Sequence, residues 1–298
     1  MKKSLIYRAH KILKEDDVKE LIRRIGMAVK RRLFFLPRDI RWWYSKRGLK
    51  SRYIKRDAQG NTMLIDSSDS GVSRDIILDG VHELELTKRV RKELSKGDVV
   101  VDVGANIGYY ALIEAKSVSE TGKVYAVEPE RSNFELLEKN IELNSYSNVE
   151  CYNVAIGNVN GKSKFYISDE GRNWHSMNEN SPAAIHGKCI EVRTFTLDEF
   201  LKDKRPVDVI RMDIEGYEST VIEGMKKTLA DREVKLFVEL HFGLTDLTAF
   251  LETLRELGYR YIYLLHRDEP LELNSTTITE LTKKNRTIHA LFKKSDGT

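Results

Sequence analysis

Apolar and polar positions change their period several times along the chain. Val18, Leu21, Ile22, Ile25, Val29, Leu33 and Leu36 fall on one face of a helix, and Pro37 ends that run. Residues 1–50 read as helical throughout. Residues 52–79 read as short strands around a turn at Asp57–Asn61 and a polar loop, "DSSDSGVS". Residues 83–95 read as a helix stopped by Gly97.

From residue 98 onward, short apolar runs alternate with helical spacing. "DVVVDV" is a buried strand, followed by a helix from Ile107 to Val118. "KVYAVE" is the second strand, followed by a helix from Ser132 to Asn144, and "NVECYNVAI" is the third strand. A polar interlude holds two further strand-like runs, "KSKFYIS" and "CIEVRTF". "VDVIRM" is the fourth strand, with a helix from Tyr217 to Leu229, and "VKLFVELHF" is the fifth, with a helix over Thr245–Leu257. "YRYIYLL" and "TIHALFKK" are expected to close the chain as a hairpin. Strands alternating with helices predict an α/β fold with a parallel sheet covered on both faces. Three segments follow: a basic helical extension over 1–50, a strand-rich lead-in with a helix over 51–96, and the main domain over 97–298.

In such a sheet, ligands bind beyond the carboxyl ends of the strands, at the point where strand order reverses. The first loop there is "VGANIG". It lacks the G-x-G-x-x-G of a dinucleotide site, and Asp102 stands two residues before Gly104. A carboxylate at that place would repel a pyrophosphate but suits a ligand with a cationic amino-acid end, such as S-adenosylmethionine. Glu128 closes the second strand, where a carboxylate can accept both hydroxyls of a ribose. The expected cofactor-binding residues are Asp102, Gly104, Ala105, Asn106, Gly108, Glu128 and Ala155.

"VVDVGANIGYYAL", "VYAVEPE", "NIELN" followed by "NV", "LDEF" and "IRMDIEGYE" occur in the order found in the FkbM-type S-adenosylmethionine-dependent methyltransferases, which the chain resembles over about residues 75–245. The resemblance implies a class I, Rossmann-like methyltransferase fold with a seven-stranded, mostly parallel sheet whose last strand is antiparallel. It implies methyl transfer to oxygen, often on a sugar or a natural-product hydroxyl. It places Asp102, Gly104, Asn106 and Gly108 against the methionine part and Glu128 against the ribose. The family commonly has K-I-D-V-E-G-A-E where this chain has Arg211 and Tyr217, which bears on the shape of the acceptor pocket.

Transfer to a hydroxyl needs an oxygen in line with the sulfonium and a group to take its proton. The fourth strand ends in Asp213, Glu215 and Glu218, and the fifth in Glu239 and His241, which alternate onto one face. Asp213, Glu215, Glu239 and His241 are therefore the candidate catalytic residues: Asp213 for orientation or base work, His241 as an alternative base near neutral pH, and Glu239 to contact the acceptor or the base. Hard oxygen ligands are present, but nothing fixes a metal and none is assigned. The polar stretch Asp169–Gly187 reads as a lid or binding loop, with Trp174 and His175 placed to stack on a sugar. N-methylation, a lipid-linked acceptor and a catalytically silent S-adenosylmethionine-binding module remain alternatives.

Charge is uneven along the chain. Residues 1–56 hold 19 lysines and arginines against five acids, and the remaining 242 hold 31 basic against 41 acidic groups. The basic helix, followed by Trp42, Trp43 and Tyr44, suits an anionic membrane surface or a helix packed on the main domain; a nucleic-acid partner fits less well. No apolar stretch approaches the roughly 18 residues of a spanning helix, and no secretory signal is read. Two cysteines, Cys151 and Cys189, have no metal-ligand spacing, so a reducing cytoplasm is the expected compartment.

Overall fold

The computed structural model describes residues 37–49, 51–168, 175–265, 267, 269–283 and 287–295. The helical run from Val18 to Leu36, and Trp174, lie outside them. The chain divides into two compact units, residues 1–50 and 51–298. In the first, α1 (Arg38–Arg47) buries none of its side chains.

The second unit opens with a hairpin of β1 (Tyr53–Ala58) and β2 (Asn61–Asp66), turning through Gln59 and Gly60 at positive φ. It continues through α2 (Val72–Asp79) and α3 (Leu84–Glu93). Residues 72–79 are thus helical rather than the tail of a run of strands. Asp69 caps the turn, accepting from the amides of Gly71 and Ser73 at 3.1 and 3.0 Å. Eight residues are too few for their apolar spacing to stand out.

Next come β3 (Val99–Val103), α4 (Tyr109–Val118), β4 (Lys123–Val127), α5 (Arg131–Leu143) and β5 (Val149–Tyr152). The expected third strand is two: β5 in the main sheet and β6 (Ala155–Gly157) in a separate three-stranded sheet with β7 (Gly161–Ile167) and β8 (Lys188–Thr196). Helix α6 (Pro182–His186) lies between β7 and β8, and α7 (Leu197–Phe200) leads to β9 (Val209–Met212). The helix expected over 217–229 is broken into α8 (Glu218–Val221), a 3₁₀ turn (Ile222–Gly224) and α9 (Lys226–Asp231). Then follow β10 (Lys235–Leu240), α10 (Leu247–Glu256), β11 (Tyr261–Leu264), β12 (Leu271–Glu272), α11 (Ser275–Thr282) and β13 (Ile288–Lys293). β11 and β13 are antiparallel neighbours, but β12 and α11 separate them in the chain, so they are no simple hairpin.

The main sheet runs β12-β11-β13-β10-β9-β3-β4-β5. The five strands from β10 to β5 are parallel, and β13 is antiparallel to both its neighbours. This is the class I methyltransferase arrangement with an eighth, two-residue strand, β12, added at one edge. Side chains of β3 alternate between two cores: Val99, Val101 and Val103 pack on one face and Val100 on the other. The order reverses at β3: the chain runs outward through β4 and β5 on one side, then returns to run outward through β9 and β10 on the other. The cleft opens at the carboxyl ends of these strands.

Candidate active site

The loop after β3 is shaped first by its protein neighbours. Gly104 has φ 81°, and a Cβ there would lie 2.0 Å from the carbonyl oxygen of Asp213. Only glycine lets the ends of β3 and β9 come so close. The amides of Gly104 and Ala105 both donate to the Val127 carbonyl at 3.0 Å, tying the loop to β4. Gly108, at φ 89°, starts α4 beside Leu137, whose Cδ1 would lie 2.8 Å from an added Cβ. The two glycines serve close packing of strand and helix, while Gly104, Ala105 and Asn106 line the cleft.

Glu128 also faces the cleft. Its carboxylate accepts from the amides of Asn106 at 2.8 Å and Glu130 at 2.9 Å. Burial pushes its pKa up to about 8 against the pull of those two amides. Ala155 lines the same end with Ile156 and Pro129, which give apolar walls.

Asp102 is elsewhere. It shares the face of Val100, which is covered by α4, and is completely buried. It does not line the cleft. Arg211 stands directly opposite it on β9 and donates to its Oδ1 at 2.8 Å. Burial raises the Asp102 pKa, and the guanidinium opposes that rise. Arg211 also reaches Asp213 at 3.5 Å and lies 3.9 Å from the Tyr110 ring centroid. Asp102, expected beside the donor, is instead paired across the strands with Arg211, a partnership that a single sequence gives no means of seeing.

The ends of β9 and β10 bring Asp213, Glu215 and Glu239 to the cleft wall. His241 stands behind them, 6% exposed. Its Nδ1 is 2.8 Å from Glu218 Oε1 and its Nε2 is 3.2 Å from Glu215 Oε2. Burial opposes its charge, but the hydrogen bonds to Glu215 and Glu218 prevail and push its pKa up to about 12. Both His241 nitrogens are thus engaged by carboxylates, and the two partners favour its charged form. Glu215 has φ 51°, a costly conformation for a residue with a Cβ. Burial raises its pKa to about 7, with Asp213 and Glu218 adding to the rise and His241 opposing it. The Ser176 hydroxyl donates to the Glu215 carbonyl at 2.8 Å, and Asn178 Nδ2 donates to that of Gly216 at 2.7 Å. The interlude after β7 thus braces this turn, and its His175 lines the cleft. Glu239 lies 3.8 Å from His241 Nε2 and 3.9 Å from His289 Nε2; burial raises its pKa well above the usual range.

The lead-in supplies residues that the sequence reading missed. His82 and Glu83, just before α3, both line the cleft. His82 Nδ1 is 2.8 Å from Asp75, and the Glu83 carboxylate accepts from the Tyr110 hydroxyl at 2.9 Å. Neither residue stands out in the sequence, because "VHELEL" reads as an ordinary helix start. Two groups of side chains could hold a cation among the described residues: Glu83, Glu239 and His289, and Asp213, Glu215 and His241. The second would have to displace the proton shared through His241.

The cleft encloses about 1090 Å³, part of it open to solvent. The profile of the methyltransferase FkbM domain matches residues 102–261. The chain belongs to the FkbM methyltransferase family. It is an enzyme, and the methyl donor of this FkbM methyltransferase is S-adenosylmethionine. It is 24% identical over 180 residues to Methyltransferase 1 of Beauveria bassiana, covering 54% of this chain and 71% of that one. It is 26% identical over 181 residues to the hexuronic acid methyltransferase AglP of Haloferax volcanii, covering 57% and 67%. The crystal structure of an FkbM methyltransferase from Methylobacillus flagellatus superposes with a TM-score of 0.45 at 17% identity, covering 67% of this chain and 44% of that one.

Proposed function

We propose that this FkbM methyltransferase transfers a methyl group to a hydroxyl oxygen of a sugar, free or within a glycan or glycosylated natural product, with Glu215 taking the proton. The observation that carries this reading is the array Glu218–His241–Glu215, which presents a carboxylate of pKa about 7 at the cleft wall. A proton acceptor is most effective when its pKa lies near the working pH. His241, anchored by buried Glu218, fixes the orientation of Glu215 and stabilises its charged form. Asp213 and Glu239 flank the same place and offer acceptors to the neighbouring hydroxyls of a sugar. The relative AglP, which acts on a hexuronic acid, supports a carbohydrate acceptor.

The residues present fit the donor. Glu128, at the end of β4 with its carboxylate already facing the cleft, would hold the ribose hydroxyls. Ala155, Ile156 and Pro129 would flank the adenine, and the Gly104–Asn106 backbone would border the methionine part. When bound, the donor supplies an electrophilic methyl on a sulfonium. The protein's part is to align the acceptor oxygen, exclude water and remove the proton.

The test is to incubate the enzyme and radiolabelled methyl donor with fractionated extract of the source organism. Label should enter carbohydrate and resist mild alkali, as a methyl ether does and a methyl ester does not. Glu215→Gln should cut incorporation at least a hundredfold while leaving affinity for S-adenosylhomocysteine within about threefold. Label confined to protein, nucleic acid or an amine would reject the reading.

A further inference from the structure

We infer that Glu83 anchors the α-ammonium group at the methionine end of S-adenosylmethionine, the place that Asp102 was expected to fill. An ammonium entering a partly enclosed cleft needs an anionic partner there. Asp102 cannot provide one from its position, being fully buried, absent from the cleft wall and bonded to Arg211 at 2.8 Å. Among the described residues, five other carboxylates reach the wall: Glu83, Glu128, Asp213, Glu215 and Glu239. Glu128 is held at the end of β4 by two loop amides, on the ribose side. Glu215 and Glu239 crowd together at the ends of β9 and β10, where burial favours their neutral forms. Asp213 already faces the guanidinium of Arg211 at 3.5 Å.

Glu83 differs from these in three respects. Its backbone is left-handed at φ 47°, a conformation that costs a non-glycine residue free energy and that turns the chain sharply before α3. Its carboxylate is tied to Tyr110, in the first turn after the glycine loop, so it is positioned from the same element that borders the methionine part. It is held on its other side by His289, whose Nε2 lies 3.3 Å from Oε1, so the carboxylate is fixed from both α4 and β13. A carboxylate has about four lone-pair positions, and Tyr110 and His289 take two, so acceptor capacity remains for an ammonium. Glu83 also lies outside residues 102–261 matched by the family profile. On this assignment the lead-in completes the donor site.

The experiment is calorimetric titration of the full-length protein with two probes. S-adenosylhomocysteine carries the amino-acid end; 5′-methylthioadenosine lacks it. Glu83→Gln keeps an oxygen for Tyr110 but loses the charge. It should weaken S-adenosylhomocysteine at least tenfold and leave 5′-methylthioadenosine within about twofold, a result that also shows the variant is folded. Asp213→Asn should change the two affinities equally or not at all. The assignment is overturned if Glu83→Gln binds S-adenosylhomocysteine as the wild type does, if it loses both probes equally, or if Asp213→Asn is the variant with the selective loss. A wild type that binds neither probe would instead remove the donor reading, and the assignment with it.

Discussion

Glu128 shows how far a single residue's role follows from its surroundings. Its place after β4 was legible in the sequence, because an acid closing the second strand of such a sheet is a ribose position. Its protonation was not legible, since burial is a property of the whole fold. With a folded pKa of about 8 and an ordinary value near 4.5, the free protein holds a proton on Glu128 at neutral pH. The native state therefore binds more protons than the unfolded chain between about pH 4.5 and 8, so this group's contribution to stability falls as pH rises through that window. Ribose hydroxyls donate best to the ionised form, so ligand binding should expel the proton. Affinity for S-adenosylhomocysteine should then rise up to tenfold per pH unit toward pH 8, with proton release seen as a dependence of binding heat on buffer ionisation enthalpy. Glu128→Gln should abolish both; a wild type showing neither would place the ribose elsewhere. His241 carries the opposite lesson. Strand alternation expects it on the face of Glu239, which lies 3.8 Å from its Nε2, yet the buried Glu218 that helps raise its pKa comes from another element, 23 residues away. Pairings of that kind, like that of Asp102 with Arg211, leave no mark on local spacing.

Among elements, the long buried strands and the helices beside β3 and β4 were legible because each has one clear period. The errors fall where a segment is short or changes partners: α2, the split between β5 and β6, and the broken helix after β9. At that break a Cβ on Gly224 would stand 2.4 Å from the Gly157 carbonyl, so packing against β6 interrupts the helix. A further device was hidden in plain composition. Asn140 in α5 and Asn144 at its C-cap, one turn apart, pair with β2 as a neighbouring strand would. Asn140 accepts from the Leu64 amide at 2.6 Å and donates to its carbonyl at 3.1 Å, and Asn144 does the same for Thr62 at 2.9 and 2.8 Å. Asn140 Nδ2 also reaches the Ile107 carbonyl at 2.7 Å, so one fully buried amide joins the lead-in hairpin to the glycine loop. Asn140→Ala leaves those buried groups unpaired. It should cost about 1–3 kcal/mol for each polar group left without a partner and water, read as a lower midpoint in denaturant titration. Because the same bond holds the glycine loop, affinity for S-adenosylhomocysteine should fall as well. Asn144→Ala, which spares Ile107, should lower stability and leave affinity nearly intact; equal effects of the two variants on affinity would dissociate the asparagine from the loop.

At the scale of the whole molecule, the strongest sequence signal is the separation of charge. No helix among the described residues is long and apolar enough to cross a membrane. The described part of the first unit nevertheless has the makings of an interfacial element. Helix α1 leaves Ile40, Trp43 and Tyr44 43%, 49% and 53% exposed. Arg38, Arg41, Lys46 and Arg47 stand among them, and the Arg47 guanidinium lies 3.5 Å over the Trp43 ring. Aromatic rings beside cations favour the boundary between water and lipid headgroups. Each basic group near an anionic surface contributes about 1 kcal/mol, and that attraction is screened over about 8 Å at physiological salt. The full-length protein is therefore expected to sediment with vesicles of phosphatidylcholine and phosphatidylserine, to release as salt is raised, and to ignore vesicles of phosphatidylcholine alone. Removing residues 1–50 should abolish sedimentation. It should leave affinity for S-adenosylhomocysteine unchanged, because among the described residues those that line the cleft all lie beyond 71. The competing arrangement has the basic helix packed on the main domain, and it makes a different forecast. There, truncation would expose the apolar face of Leu21, Ile25, Val29 and Leu33, lowering the melting temperature and promoting aggregation. A full-length protein indifferent to anionic vesicles, together with a truncated form that aggregates, would reject the surface anchor and assign the helix to the fold.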